Sequence, residues 1–312
     1  MSSSDPIGDA IRLLEKVPSA ELQRRGYHFQ SRDFYSALND LEFLATHPDL
    51  WKGRPLPSAI RWDLDAQLSL IRRVAHYARE LADVPWDAPP GKMAYHWNNN
   101  FWRSADALVH YGLLRHFKPT RVIEIGCGWS SLLMARALTA NETSDGAQTS
   151  VHQIEPYPRR EIMEALPYSW TRDERILQRA PLELFEELGA GDFLFYDGSH
   201  VARAGSDVNW FFFEVIPRLA PGVIIHLHDI FWPEDYPESW IFERGQTWNE
   251  QYVLQAFLMY NGEFEILVAN AALLVERRAA FQTLFQDVGD EPVAGGSLWM
   301  RRMSRPLSDN AS

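Results

Sequence analysis

Residues 121–131 read Arg-Val-Ile-Glu-Ile-Gly-Cys-Gly-Trp-Ser-Ser, and this stretch decides the fold. A β-branched run, Val122-Ile123-Glu124-Ile125, stops at Gly126, and Gly128 follows two residues later. Ser130-Ser131-Leu-Leu-Met-Ala-Arg-Ala-Leu then opens a helix. Strand, glycine turn and helix N-terminus together make a nucleotide-binding geometry. The glycines let the backbone bend and let a ligand approach without Cβ interference. The three-glycine dinucleotide fingerprint is incomplete, because Ser131 stands where its third glycine would fall. Glu124 is unexpected inside a core strand, where a charge is costly unless paired.

Outward from this turn the chain alternates helix and strand. A helix over 104–116 leads into the strand at 121–125, and a helix over about 129–139 leaves it. Residues 141–149 are polar and read as a turn. Further strands are expected at 151–154, 175–178, 192–196 and 223–229, with helices at 158–166, 182–188 and 207–219 between them. Phe264-Glu-Ile-Leu-Val and Ser297-Leu-Trp-Met-Arg-Arg read as the last strands, after a helix beginning near Trp248. Such alternation implies an α/β fold with a parallel sheet covered on both faces. Before it, residues 1–95 carry apolar residues at helical spacing over 20–24, 33–44 and 64–75 and are punctuated by prolines. They form an N-terminal helical accessory or lid region, 96–303 form the sheet domain, and 304–312 are a flexible tail.

The polar residues gather where strands end, at Gly126, Glu155, Asp197, His228 and Asp229. In open α/β sheets ligands bind outside the carboxyl ends of the strands. Glu155, before Pro156, is placed to accept two hydrogen bonds from a ribose diol, or else to start a helix. Glu124 repels a pyrophosphate but not an amino group or a sulfonium, which favours S-adenosylmethionine over a dinucleotide; a structural ion pair is the other reading. Asp197 orients the amino group of that cofactor, binds a metal or caps a turn. His200 is a general base or a backbone-bonded loop histidine. His226 and His228 face one side of their strand. Asp197, His228 and Asp229 make a three-ligand set for a divalent ion such as Mg2+, or a polar cluster for the acceptor. Cys127 reads as a space-filler whose thiol the nearby helix N-terminus would activate only by lowering its pKa. The aromatic stretches Tyr95–Trp102 and Asp229–Trp240 fold over the ligands or plug the domain.

Composition narrows the partners. A chain of 312 residues with a net charge of −12 does not suit a phosphate backbone, so no nucleic acid is expected. No apolar run reaches the length of a membrane span, and Met-Ser-Ser-Ser-Asp-Pro does not resemble a secretory signal. One cysteine fits a reducing cytoplasm. A homo-oligomer is allowed.

Taken together, Val122-Ile-Glu-Ile-Gly-Cys-Gly-Trp-Ser-Ser, Ile154-Glu155-Pro156, Asp192-Phe-Leu-Phe-Tyr-Asp-Gly-Ser-His200, Gly205-Ser-Asp-Val-Asn and Pro217–Asp229 resemble the class I S-adenosylmethionine-dependent methyltransferases. The nearest branch is the bacterial one around macrocin-type sugar O-methyltransferase domains, and the resemblance covers about 100–300. It implies a Rossmann-like sheet of seven strands with the last antiparallel. S-adenosyl-L-methionine would lie against Glu124, Gly126, Cys127, Gly128, Ser130, Ser131, Glu155, Pro156 and Asp197, with Ala180 and Pro181 near the adenine. The reaction is methyl transfer to a hydroxyl of a small-molecule or glycan acceptor, with His200, His228 and Asp229 as catalytic groups. His228-Asp229 departs from the paired acids of metal-using relatives. The rival readings are a nicotinamide-dependent oxidoreductase and a non-catalytic protein that keeps the cofactor fold.

Overall fold

The computed structural model describes residues 5–102, 104–285 and 294–304. The tail expected over 304–312 lies, apart from Ser304, outside them. Seven strands form one sheet: β1 Arg121–Ile125, β2 Ser150–Ile154, β3 Thr171–Asp173, β4 Phe193–Tyr196, β5 Ile224–Leu227, β6 Phe264–Ala269 and β7 Leu298–Arg302. Their order is β3-β2-β1-β4-β5-β7-β6. β1 to β5 pair in parallel, and β7 runs antiparallel to both of its neighbours. The expected seven-stranded sheet with an antiparallel last strand is therefore present. Strand order turns back between β1 and β4, which opens a crevice at their carboxyl ends.

Side-chain alternation sorts the strands into two cores. Val122, Phe193, Phe195 and Ile224 point into one, with the helices Leu64–Val74, Ser104–Phe117 and Trp129–Asp145. Ile123, Ile125, Leu194, Tyr196, Ile225 and Leu227 point into the other, with Val208–Leu219 and the helix Glu250–Leu258. Burial on both faces explains why these strands read as continuous apolar runs.

Several local expectations differ from the structure. The helix after the glycine turn continues to Asp145, past the expected end at 139, and Gly146 closes it at φ 67°. Asn141, which read as a turn residue, is buried and donates from Nδ2 to the Leu114 carbonyl at 3.0 Å. The third strand is Thr171–Asp173, not 175–178, because Asp173 turns the chain by accepting the Arg175 N–H at 3.0 Å. Of the pattern over 33–44, only Leu41–Thr46 is helical; Asp40 caps it, accepting the Phe43 N–H at 3.1 Å. The aromatic stretch Asp229–Trp240 ends in a short helix, Glu238–Phe242.

The chain divides into two compact units, one up to Pro48 and one from Asp49. The first holds three short helices in which Leu22 is the buried side chain. Residues 49–95 belong to the second, whereas the sequence reading drew its line at 95. The helix Leu64–Val74 puts Leu68, Ile71 and Val74 into the sheet's core, and Gln67 Oε1 accepts the Ala269 N–H of β6 at 3.0 Å. Among the described residues, no helix is long and apolar enough to cross a membrane.

Candidate active site

The glycine turn is held from both sides. Gly126 takes φ +81°, and its N–H donates to the Ile154 carbonyl at 3.1 Å. The Glu155 carboxylate accepts the Cys127 N–H at 3.0 Å with one oxygen and the Tyr157 N–H at 2.7 Å with the other. Each oxygen keeps a second lone pair for a ligand diol. Behind the turn, Glu124 is fully buried. Its carboxylate accepts from Ser130 Oγ at 3.1 Å, Ser131 Oγ at 2.8 Å and Gln153 Nε2 at 2.7 Å. Ser131, where a dinucleotide site would have glycine, instead ties the helix start to this acid, and its Oγ also accepts the Gly128 N–H at 3.0 Å. Glu124 and Ser131 thus shape the loop from beneath.

Burial pushes the Glu124 carboxyl up to about 7, against the hydrogen bonds from Gln153, Ser131 and Ser130 that favour its charge. A folded-state pKa above the unfolded one means that stability is complete below about pH 4.5 and is lost as pH rises through 7. The loss is on the order of 3 kcal/mol. Urea unfolding of wild type and Glu124→Gln at pH 5 and pH 8 checks this. The variant should lack that part of the decline, and identical slopes would reject it. The Cys127 thiol is pushed well above its ordinary value by burial and by the Glu124 and Glu155 carboxylates. The activating effect considered for the helix N-terminus is overridden, and the thiol stays protonated.

Two cavities meet at this turn. Gly126, Glu155, Asp197, Gly198 and Ser199 line both. The smaller, about 470 Å³, runs past Pro156 and Tyr157 to Ile176, Leu177 and Gln178. Ala180, expected on this wall, lies buried in the core instead, and Ile176–Gln178 take its place. The larger, about 800 Å³, is lined by Cys127, Gly128, Ser130, His200, His228, Asp229 and a set of aromatic side chains. A third cavity, about 580 Å³, lies beside β2 and β3 and shares Glu155 and Tyr157 with the smaller one.

At the junction stand Asp197, His200 and Asp229. His200 Nε2 lies 3.2 Å from Asp197 Oδ1 and 3.5 Å from Asp229 Oδ2. Its Nδ1 lies 2.9 Å from Glu250 Oε2, a carboxylate 1% exposed. His200 and Asp229 both sit in the left-handed backbone region, at φ 59° and 57°. Such strain in non-glycine residues persists only where the surroundings enforce it, and it concentrates at functional sites. At His200 the start of the helix Glu250–Leu258 enforces it. The His200 carbonyl accepts the Asn249 and Glu250 N–H groups at 3.0 and 3.2 Å. Asp207 pins the same loop by accepting the Ser199 N–H at 2.7 Å. Burial works against charge on His200, yet hydrogen bonds to Asp197 and Glu250 outweigh it and hold the imidazole well above its ordinary value.

His228 is the outer member of a buried pair. Its ring lies 5.7 Å from that of His226, on the same side of β5 as expected, and 4.4 Å from Trp102. Ser297 Oγ bridges them, 3.1 Å from His226 Nε2 and 3.5 Å from His228 Nδ1. Burial opposes charge on His228, but the carboxylates of Asp229, Asp197 and Asp106 raise its proton affinity. Burial drives His226 well below its ordinary value. Of the metal set expected from sequence, Asp197 and Asp229 come together, but the imidazole between them is His200. Ligand atoms of Asp197, His200 and Asp229 all lie within 4.8 Å of one another. Nδ1 on a buried carboxylate is the outer-shell arrangement that orients a metal-binding imidazole, so the donor set fits a divalent ion.

Sequence reasoning missed Glu250, Asp106 and Ser297. An acid in a first helical turn reads as a dipole partner, and nothing in the sequence links position 250 to position 200. Asp106 accepts from the Gly296 and Ser297 N–H groups and from Asn270 Nδ2, and so holds the strand entry that carries Ser297. The stretch Tyr95–Trp102 packs into the core on one side and lines the larger cavity on the other. Tyr95, Trp97 and Trp102 are buried, while Asn100, Phe101 and Trp102 line the larger cavity. Asn99 shapes the bend, accepting two backbone N–H groups with Oδ1 and donating twice with Nδ2.

Residues 123–230 match the family described as Methyltransferase domain. An uncharacterized protein of Archaeoglobus fulgidus is 26% identical over 190 residues, covering 56% of this chain and 84% of the relative. Among solved structures, CmcI in its apo form aligns at 14% identity and a TM-score of 0.37, over 73% of this chain and 94% of that one. MycE, a methyltransferase from the mycinamycin biosynthetic pathway solved with Mg, SAH and mycinamycin VI, aligns at 13% identity and a TM-score of 0.34, over 76% of this chain and 56% of that one. At these scores the two structures carry no argument about chemistry here.

Proposed function

We propose that this chain, which matches the family described as Methyltransferase domain over residues 123–230, is a class I enzyme that transfers a methyl group from S-adenosylmethionine to a hydroxyl of a small-molecule or glycan acceptor. The observation that carries the reading is the junction of the two cavities, where the glycine turn and Glu155 meet Asp197, His200 and Asp229. The smaller cavity suits a nucleoside. Glu155 would hold the ribose diol, Pro156, Tyr157, Ile176 and Leu177 would flank the base, and Gly126 and Gly128 would admit the chain that bears the sulfonium. S-adenosylmethionine supplies an electrophilic methyl group when bound. The larger cavity presents the acceptor. Its oxygen forms the new bond to the methyl carbon as the carbon–sulfur bond breaks, and the hydroxyl proton passes to an imidazole. Alignment and proton removal are what the protein must contribute.

His200 Nε2 is the nitrogen nearest the paired carboxylates, and Glu250 fixes its ring. A divalent ion, Mg2+ among the candidates, would be held by Asp197, Asp229 and the same nitrogen, and would supply Lewis acidity there. One nitrogen cannot serve both roles, and the surrounding carboxylates favour the charged form of both rings, so it is the neutral form of His200 that takes the proton in a metal-independent enzyme and the neutral form of His228 in a metal-dependent one. Asp229 positions either ring, lying 3.5 Å from His200 Nε2 and 3.6 Å from His228 Nε2. Residues 1–48 act as an accessory region in this reading, and the lone Cys127 suits the cytoplasm.

Calorimetric titration with S-adenosylhomocysteine tests the cofactor, and a methylation assay over nucleotide sugars, glycosides and phenols, with and without EDTA, tests acceptor and metal together. Absence of measurable cofactor binding would sink the proposal. Glu155→Ala should weaken binding by at least about 1 kcal/mol, the scale of a charge-assisted hydrogen bond. Wild-type affinity in that variant would remove Glu155 from the ribose.

A further inference from the structure

The larger cavity has two walls that begin at the imidazoles and end at cations. On one, Trp102 packs 4.4 Å from His228, and beside it the Arg159 guanidinium lies 4.8 Å from the Phe101 ring centroid. On the other, Trp248 lies 4.2 Å from His200, Trp240 lies 5.1 Å from Trp248, and the Arg244 guanidinium lies 5.5 Å from the Trp240 centroid. All of these side chains line the one cavity. Neither arginine has a carboxylate partner among the described residues, in a chain where acids outnumber basic residues by 42 to 30. A guanidinium stacked on a ring keeps its planar N–H edge free, and that fork matches a carboxylate or phosphate.

The outer walls therefore offer guanidinium donors and rings, whereas the carboxylate acceptors stand at the inner end, at Asp197 and Asp229. A ligand that satisfies both ends has a hydroxyl inside, a ring between the aromatic walls and an acceptor-rich group outside.

Resting on the methyl-transfer reading, we infer that the acceptor is a ring-bearing hydroxyl compound with an oxyanion substituent, a carboxylate or a phosphate, which Arg159 and Arg244 take up. The net negative charge of the protein would otherwise disfavour such a substrate, so the two arginines set the specificity of the cavity.

Calorimetry in the presence of saturating S-adenosylhomocysteine tests this with three probes that share one scaffold: 4-nitrophenyl β-D-glucuronide, 4-nitrophenyl β-D-glucoside 6-phosphate and the neutral 4-nitrophenyl β-D-glucoside. At low salt, at least one charged probe should bind about tenfold more tightly than the neutral one, a difference of about 1.4 kcal/mol. The one that does so identifies the carboxylate or the phosphate as the group recognised. In the Arg159→Gln/Arg244→Gln double variant that preference should shrink to about twofold or less, with S-adenosylhomocysteine affinity retained. Equal binding of all three probes, no binding by any, or an unchanged preference in the double variant would overturn the inference. Failure of S-adenosylhomocysteine itself to bind wild type would instead bring down the methyl-transfer reading on which it rests.

Discussion

A His200→Gln variant is expected to lose about 10²- to 10⁴-fold in kcat, the range supplied by a positioned acid–base group, with S-adenosylhomocysteine affinity close to wild type. The expectation follows from where the side chain is held. His200 is gripped at Nδ1 by Glu250 and faces Asp197 and Asp229 with Nε2, at the inner end of the larger cavity. It does not line the smaller cavity, where the nucleoside would sit. Glutamine keeps polarity and approximate reach but takes no proton near neutral pH. The result holds whether His200 accepts the proton or ligates an ion, and EDTA separates the two cases. An H200Q enzyme with wild-type kcat would remove His200 from the chemistry. Loss of S-adenosylhomocysteine binding would show that the residue supports the cofactor site instead.

Replacing Gly126 by alanine should be the most damaging single change in the cofactor loop. A Cβ there would stand 1.9 Å from the Asp197 carbonyl oxygen, and φ is +81°. The close approach joins the end of β1 to the end of β4, so relief requires the two strand ends to part. Overpacking and the left-handed backbone together should cost on the order of 2–4 kcal/mol. A displacement of about 1 Å at the reacting geometry should cost about 100-fold in turnover. Gly128→Ala is the contrast. Its backbone is extended, and its Cβ would meet nothing within 4 Å. That variant should fold with wild-type stability, so a loss of cofactor affinity in it reports on the ligand rather than on the fold. Chemical denaturation and S-adenosylhomocysteine titration of both variants check the pair. Equal stability of G126A and wild type would show that the strand ends are not in contact as described.

Much of this was legible in the residues. Strand-like runs ended by Gly126, Glu155 and Asp197 marked strand ends, and alternation with helices implied one parallel sheet, so the polar ends had to share an edge. The reading went astray where local chemistry resembles something else. Asn141 looks like a turn former, yet it is a helix residue with a buried partner. Arg175–Gln178 has strand-like composition, but the Asp173 side chain turns the chain first. Glu124 carries the right charge for a sulfonium site, but its carboxylate is spent on Ser130, Ser131 and Gln153.

By itself, then, the sequence determined the architecture and which groups could reach one sheet edge, because side-chain periodicity and glycine turns act over a few residues. Only the tertiary structure decided the partnerships: that His200 rather than His228 stands between Asp197 and Asp229, that Glu250 steadies it from fifty positions away, and that two stacked arginines share a cavity. Those contacts depend on how loops from separate strand ends settle against one another. That packing balances small terms over many distant residues, and no local pattern encodes it.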